Sequence, residues 1–379
     1  MPSNPTPSNP APSTTTPSTV VDLDLTVSSI ELTRVICDIE SVSGNETGLA
    51  DAIERALLPF EHLEIIRDGD TIVARTNLGR GKRVVIAGHI DTVPLNNNLP
   101  TRFETDDGVE YLWGRGTVDM KAGVAVQLKL AAELTAPAVD VTWMWYDHEE
   151  VSADLNGLGR LAANRPDLFI GDFAILGEPS NSQVEGGCNG NLRVELRTFG
   201  LRAHSARSWV GDNAIHKAAP ILERLAAYEP RQVEVEGLVY REGLSAVGIS
   251  GGVAGNIIPD EAMVHVNYRF APSRSGAEAV AHIRELFPEY DMTVVDFAEG
   301  ARPGLDAPLA QGFMAAVGGE ARPKYGWTDV ARFSAMGIPA VNYGPGNPLK
   351  AHADDERVAV DQITECERGL RTWLSASAD

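Results

Sequence analysis

The sequence predicts an α/β protein whose mostly parallel, mixed sheet belongs to a domain that is interrupted by a compact α+β unit. Short apolar runs such as Arg83-Val-Val-Ile-Ala-Gly88 alternate with helical stretches in the first half of the chain. Runs of this kind are typical of strands buried on both faces of a sheet. The pattern changes near Asn189, and a chain of 379 residues is long enough for two domains.

The first half of the chain supplies the elements of the mostly parallel sheet. Apolar positions at helical spacing predict helices over 32–39, 48–58 and 122–134. Continuous or alternating apolar residues predict strands over 71–76, 83–88, 139–146 and 173–176. Because these strands alternate with helices, the sheet is expected to be parallel for most of its width.

The segment after Asn189 predicts a different architecture. Strands are expected over 192–199, 247–249 and 262–270, with helices over 214–228 and 276–286. Two helices on one antiparallel sheet would make an inserted unit of about 110 residues. The expected division is therefore a first domain formed by 22–188 and 301–379, and a second formed by 189–300. Residues 1–21, rich in proline, serine and threonine, are expected to be a disordered tail.

Composition excludes several classes of partner. The formal net charge of −21 argues against nucleic acid, whose phosphates require basic patches. No apolar run approaches the roughly 20 residues that cross a bilayer, so no membrane partner is expected. Cys37, Cys188 and Cys366 are too few and too far apart for a disulfide framework. Together with an N-terminus that does not resemble a secretory signal, they predict a cytoplasmic protein.

Histidine and acidic residues follow the predicted strands or glycine-rich turns. They are His89, Asp91, Asp119, Glu149, Glu150, Glu178 and His352. Zn²⁺ accepts nitrogen from histidine and oxygen from carboxylates, and ligands in α/β proteins gather at the carboxyl ends of strands. One carboxylate exceeds what coordination needs, and metal-assisted hydrolysis requires such a group as a base. The sequence therefore predicts a metallohydrolase.

Each residue also has an ordinary explanation when it is considered alone. His89 and Asp91 fit a buried structural pair, and Asp119 fits the cap of a helix that begins at Met120. The pair Glu149-Glu150 fits a solvated loop, although adjacent carboxylates at the end of a buried strand repel each other unless a cation is present. Glu178 fits a surface carboxylate, and His352 fits a solvated charge run.

Taken in chain order, these segments resemble the aminoacylase and carboxypeptidase-G-like family of dinuclear zinc peptidases. The resemblance extends from about Leu25 to the C-terminus and leaves out only the tail. Within the family, the sequence is most similar to the actinobacterial desuccinylases. The segments that carry this similarity are 87–94, 116–121, 202–209 and 326–333.

The resemblance implies two divalent cations, with Zn²⁺ expected first and Co²⁺ or Mn²⁺ as substitutes. Asp119 would bridge the two ions. His89 and Glu178 would complete one site, and Glu150 and His352 would complete the other.

The resemblance also implies catalytic roles. Glu149 would be the general base, and Asp91 would orient the metal-binding ring of His89. The inserted unit would be a lid and dimerisation domain of a homodimer, with His204 reaching the partner subunit's active site. The residues expected to contact substrate are Arg207, Asn256, Arg269 and Thr328.

The expected reaction converts N-succinyl-LL-2,6-diaminopimelate and water into succinate and LL-2,6-diaminopimelate, a step of lysine and diaminopimelate synthesis. An acetylornithine deacetylase, an aminoacylase or a dipeptidase would share the ligand set, and a non-catalytic binding protein is a further alternative. One departure concerns substrate recognition. Many proteobacterial relatives carry Arg-Arg-Gly-Ser where this chain has Glu185-Gly-Gly-Cys188, which leaves the substrate's carboxylates to other cations, with Arg207 and Arg269 as the expected ones.

Overall fold

The structure is a computed structural model that describes residues 21–376. Residues 1–20 of the predicted disordered tail therefore lie outside the described residues. The helices are α1 Ser29–Asp38, α2 Thr47–Leu57, α3 Lys121–Glu133, α4 Gly157–Asn164, α5 Ala214–Lys217, α6 Ala219–Ala226, α7 Gly276–Leu286, α8 Pro308–Val317, α9 Val330–Ala335 and α10 Val360–Ser375. Short 3₁₀ helices cover Pro166–Phe169, Ser205–Val210 and Pro348–Lys350.

The strands in chain order are β1 Glu64–Asp68, β2 Thr71–Arg75, β3 Arg83–His89, β4 Arg102–Asp106, β5 Val109–Trp113, β6 Asp140–Tyr146, β7 Phe173–Leu176, β8 Glu185–Gly186, β9 Gly190–Phe199, β10 Ala203–His204, β11 Gln232–Val235, β12 Leu238–Arg241, β13 Gly243–Gly251, β14 Ile257–Ile258, β15 Glu261–Phe270, β16 Asp291–Ala298, β17 Arg322–Pro323, β18 Ala340–Asn342 and β19 Arg357–Ala359.

The largest sheet has eight strands in the order β1-β2-β6-β3-β7-β18-β8-β17. Its centre is parallel, because β3 pairs in parallel with both β6 and β7, and β18 pairs in parallel with β7. Alternate residues of β6 enter two different cores: Trp143 and Trp145 pack on one face, Met144 and Tyr146 on the other. This sheet, covered on both faces, confirms the predicted fold class.

A second sheet carries the antiparallel part of the fold, in the order β13-β15-β9-β16. Buried and partly buried residues alternate along β15, as expected for a sheet with one covered face. The prediction of one helix over 214–228 is wrong, since the segment forms α5 and α6. Pro220 lies in the first turn of α6, where its missing N–H is harmless, whereas inside a continuous helix its ring would clash with the preceding turn. The division of the chain into domains stays a prediction.

A small three-stranded sheet, β19-β5-β4, was not predicted. Its hairpin turns at Asp107 and Gly108, which have positive φ of 47° and 79° and form the dipeptide that two-residue hairpins favour. On its other side β5 pairs with β19, so that Arg357 lies opposite Trp113. This pairing brings the C-terminal part of the chain next to the glycine-rich segment before α3.

Two further observations concern the composition-based expectations. The cysteines are buried and free, in agreement with the absence of a disulfide framework. Within residues 21–376, the helices are all too short or too polar to cross a bilayer.

Candidate metal centre

The predicted ligands converge at the carboxyl end of the parallel strands. His89 is the last residue of β3, Glu149 and Glu150 follow β6, and Glu178 comes two residues after β7. Together with Asp119 and His352, the three glutamates line a cavity of about 670 Å³. His89 lies just beneath it, only 1% exposed. Parallel strands thus deliver residues from distant parts of the chain to one edge, as the sequence predicted.

The Asp119 carboxylate lies between the two histidine rings. Its Oδ1 is 3.1 Å from Nε2 of His89, and its Oδ2 is 3.3 Å from Nε2 of His352. The same His352 nitrogen is 2.9 Å from Oε1 of Glu150. These spacings are hydrogen-bond distances, and they are also close to the roughly 3.4 Å between two ligands held at about 2.0–2.1 Å from one tetrahedral ion.

Asp119 is free to bind an ion because it does not cap the following helix. The residue before α3 is Met120, whose side chain makes no capping hydrogen bond, so the alternative of Asp119 as a helix cap is not supported. Gly123, in the first turn of α3, is needed for close packing rather than for metal binding. A Cβ at Gly123 would be 2.3 Å from the carbonyl oxygen of Gly177, so only glycine lets α3 pack against the turn that carries Glu178.

Asp91 holds several parts of the candidate centre in position through hydrogen bonds. Its Oδ1 is 3.4 Å from Nδ1 of His89, which is also 3.0 Å from the Asp91 carbonyl oxygen. The carboxylate accepts hydrogen bonds from the backbone N–H groups of Glu149 and Glu150, both at 3.0 Å, and from Oγ of Ser43 at 2.6 Å. Asp91 therefore fixes both the imidazole ring and the turn that presents the two glutamates.

The site holds more buried negative charge than its own cations neutralise. Glu178 is 5% exposed, and its Oε1 has no hydrogen-bond partner. Burial raises the pKa of Glu178 to about 7, and the nearby Asp119 charge adds to the rise. Burial also raises the pKa of Glu149, and Glu178 and Asp329 contribute in the same direction. A buried carboxylate oxygen without a hydrogen-bond partner, beside other carboxylates that repel it, is the chemical environment that a bound cation stabilises.

Protons compete with cations at the two histidines. Hydrogen bonds to Asp119 and Glu150 raise the pKa of His352 to about 10, although partial burial opposes the rise. Burial opposes protonation of His89 more strongly, but its hydrogen bonds to Asp119 and Asp91 still raise its pKa above the usual value. Because a metal ligand must give up this proton, cation binding at these nitrogens competes with protonation and strengthens as pH rises.

A buried glutamate that the sequence analysis missed holds Asp119 in place. Oε1 of Glu356 accepts hydrogen bonds from the backbone N–H groups of Val118 and Asp119, at 3.0 and 3.2 Å. Its Oε2 is 2.7 Å from Nη1 of Arg115, and both side chains are almost completely buried. Glu356 precedes β19, so the pairing of β19 with β5 is what brings it here.

We expect Glu356→Gln to weaken metal binding without removing any ligand. The amide leaves the buried Arg115 without its anion and loosens the backbone at Asp119, and changes of this kind cost about 10- to 100-fold in metal affinity. Titration against a competing chelator measures the affinity. Asp355→Asn is the matched control, because the Asp355 side chain is 64% exposed. Equal affinities for the two variants would contradict a positioning role for Glu356.

Of the other predicted site residues, one lines the cavity and four lie outside it. Thr328 is buried and lines the cavity, where its hydroxyl donates to Oδ1 of Asn342 at 2.9 Å. His204, Arg207 and Asn256 are exposed, and Arg269 is partly buried on β15. In this single chain the cavity is not lined by these four residues. Their roles stay predictions.

Residues 85–376 match the family model of peptidase family M20/M25/M40. The chain belongs to this family. Over 355 residues, this M20 chain is 53% identical to the DapE protein of Mycobacterium tuberculosis, covering 93% of the chain and 99% of the relative. It is 48% identical to the succinyl-diaminopimelate desuccinylase of Corynebacterium glutamicum, with 93% and 98% covered. The predicted family and its desuccinylase branch are confirmed, and with them the assignment as a metal-dependent amide hydrolase.

Solved structures agree with the M20 fold. A tripeptidase from Staphylococcus aureus superposes with a TM-score of 0.75 at 20% identity, covering 92% of this chain and 97% of that one. YxeP from Bacillus subtilis, a dinuclear metal-binding peptidase of the M20 family, superposes with a TM-score of 0.67 at 16% identity, covering 92% and 96%. At these identities the likeness concerns the fold alone.

Proposed function

We propose that this M20 chain hydrolyses the amide bond of N-succinyl-LL-2,6-diaminopimelate to give succinate and LL-2,6-diaminopimelate. The reaction type is inferred from a group of two histidines and three carboxylates that lies beside the Glu149 carboxylate, which makes no hydrogen bond of its own within the described part of the chain. This group, called the cage below, consists of His89, His352, Asp119, Glu150 and Glu178. The substrate is inferred from the desuccinylase of Corynebacterium glutamicum, to which nearly the whole chain is similar. Buried free cysteines support a reducing, cytoplasmic location.

We further propose that the cage holds two divalent cations. Asp119 would bridge them, because its two oxygens face different histidines. His89 and Glu178 would complete one site, and Glu150 and His352 the other. This mixture of nitrogen and oxygen donors favours Zn²⁺, with Co²⁺ or Mn²⁺ as substitutes. When bound, such cations polarise an amide carbonyl and lower the pKa of a water to about 7.

Glu149 is the proposed proton carrier. Its carboxylate faces the cavity and makes no hydrogen bond or ion pair with the other residues of the described range 21–376. Its raised pKa suits a group that accepts a proton from water near neutral pH and then protonates the amine nitrogen as the C–N bond breaks. Asp91 would act indirectly, by holding His89 and the backbone of Glu149 in position.

The inserted unit is proposed to be a lid and dimerisation domain. Its segment 202–209 is exposed almost throughout, and Trp209 is 78% exposed, which supports a surface that contacts another protein or closes over the site. In a homodimer, His204 would then stabilise the developing oxyanion in the partner's cavity. The remaining proposed substrate contacts are Arg207, Asn256, Arg269 and Thr328.

A substrate panel tests the proposed reaction. With zinc-loaded protein, we expect kcat/KM for N-succinyl-LL-2,6-diaminopimelate to exceed the values for N-acetylornithine and for dipeptides by about 100-fold or more, because sites built to pair polar groups reject analogues that lack them. Chromatography measures succinate release, and elemental analysis measures the metal content. A preference for acetylornithine or dipeptides would show that the protein is a deacetylase or a dipeptidase instead. Inactivity toward the whole panel at full metal loading would indicate a binding protein.

A further inference from the structure

One wall of the cavity carries charges of both signs. Glu185 lies on β8 and Arg322 on β17, and these parallel strands pair so that the two residues are direct neighbours. Lys324 is two residues beyond Arg322, a spacing that places both side chains on the same side of an extended chain. All three line the cavity that contains the candidate metal ligands.

Lys324 ties this wall to the metal centre and holds Glu185 beside it. Its Nζ donates to the carbonyl oxygen of Pro179 at 2.8 Å and is 2.9 Å from Oε2 of Glu185. Pro179 directly follows the candidate ligand Glu178. The side chains of Lys324 and Glu185 are only 9% and 13% exposed, so their ion pair is largely shielded from solvent. Oε2 of Glu185 is itself buried and faces the Lys324 ammonium group, so the ion pair fixes the position of a carboxylate that lines the cavity.

Arg322 differs from Lys324 because its charge is not paired. The residue is exposed, and across the described residues 21–376 its side chain has no ion pair or hydrogen bond. Among the arginines of residues 21–376, Arg322 is the one that lines the cavity. The other cations that line the cavity are Lys324, which is already paired, and His352, which contacts Asp119 and Glu150. A guanidinium is suited to bidentate binding of a carboxylate.

Arg322 and Glu185 stand opposite each other on adjoining strands. Two distant parts of the chain therefore place a cation and an anion side by side on this wall of the cavity.

We propose that Arg322 and Glu185 bind the zwitterionic α-amino acid group at the end of the substrate remote from the scissile amide. Arg322 takes the carboxylate, Glu185 takes the ammonium group, and Lys324 keeps Glu185 in position. A group that bears only a carboxylate, such as the succinyl end, would contact Arg322 but would supply no ammonium group to Glu185. The cavity volume of about 670 Å³ is within the range of small-molecule sites. This inference rests on the proposed function, since it assumes a diamino acid substrate.

Three substrates isolate the two charges. N-succinyl-LL-2,6-diaminopimelate carries both remote groups. Nα-succinyl-L-lysine lacks the remote carboxylate, and N-succinyl-L-2-aminopimelate lacks the remote ammonium group. We expect the wild-type protein to prefer the first over the other two by about 10- to 100-fold in kcat/KM. In Arg322→Met the preference over the lysine substrate should fall below about threefold, through a higher KM for the diaminopimelate substrate. Glu185→Gln should selectively reduce the preference over the aminopimelate substrate.

A structural role would change all substrates equally, so the selectivity ratio is the decisive quantity. Arg368→Met is the matched control, because the Arg368 side chain is 75% exposed on α10 and does not line the cavity. An unchanged ratio in Arg322→Met, or an equal loss for all three substrates, would overturn the inference. Calorimetric titration with LL-2,6-diaminopimelate gives a second readout, in which Arg322→Met should weaken binding about tenfold. If the wild-type protein hydrolyses no succinyl substrate, the proposed function fails, and this titration alone decides the inference.

Discussion

Glu149→Gln is expected to lower turnover by about 10²- to 10⁴-fold while the protein keeps its full complement of metal. The amide has nearly the same shape as the carboxylate but accepts no proton from water at neutral pH. Glu149 lies outside the cluster of His89, Asp119 and Glu150, whose ligand atoms lie within 4.8 Å of one another. Steady-state succinate release measures the turnover, and elemental analysis of the same preparation measures the metal content.

The neighbouring glutamate provides the matched comparison. Oε1 of Glu150 is 2.9 Å from Nε2 of His352, so Glu150→Gln should lose a metal ligand and lower the metal content, whereas Glu149→Gln should not. Glu110→Gln, on the exposed hairpin, should change neither quantity. Near-normal turnover in a fully metallated Glu149→Gln protein would remove Glu149 as the base. Loss of metal from that variant would instead make it a ligand.

Asp119→Ala should abolish both metal binding and activity. The Asp119 carboxylate lies within about 3.3 Å of both histidine rings, and its removal would deprive both proposed sites of a ligand at once. We expect the metal content to fall from about two ions per chain to below one, and turnover to fall to the background rate. Elemental analysis after dialysis against dilute zinc measures the loss.

The design of this experiment separates a missing ligand from a damaged fold. Asp354→Ala removes an exposed carboxylate two residues beyond His352 and should keep both ions. Circular dichroism of Asp119→Ala should match that of the metal-free wild-type protein, because Asp119 lines the cavity and belongs to none of the hydrophobic cores. Two tightly held ions in Asp119→Ala would refute the bridging role.

The parallel strands and most of the site were predictable because their signals are local. The runs that became β3, β6 and β7 are apolar on both faces, and this pattern directly reflects burial on both sides of a sheet. Placing ligands at the ends of these strands then required only the general rule for α/β proteins. The metal-binding and catalytic roles of these residues were assigned from the family resemblance, since each residue alone had an ordinary explanation.

Features that depend on pairing between distant segments were not predictable. Glu356 belongs to a charged run whose neighbours Asp354 and Asp355 are exposed, and only the pairing of β19 with β5 buries it beside Asp119. Arg322 and Glu185 become neighbours through two-residue strands, which leave no recognisable periodicity in the sequence. Such short pairings follow from the packing of the surrounding structure rather than from local propensity.

The attachment of Glu356 to the backbone of Asp119 spans more than two hundred residues of chain, and it has a consequence for biosynthesis. Asp119, Glu150 and Glu178 leave the ribosome well before His352 and Glu356 do. A nascent chain therefore exposes an incomplete set of anions with neither the second imidazole nor the support for the aspartate. On the proposed ligand assignment, the site that includes His352 would be complete only after the C-terminal part of the chain has been made, so a full pair of cations would bind late.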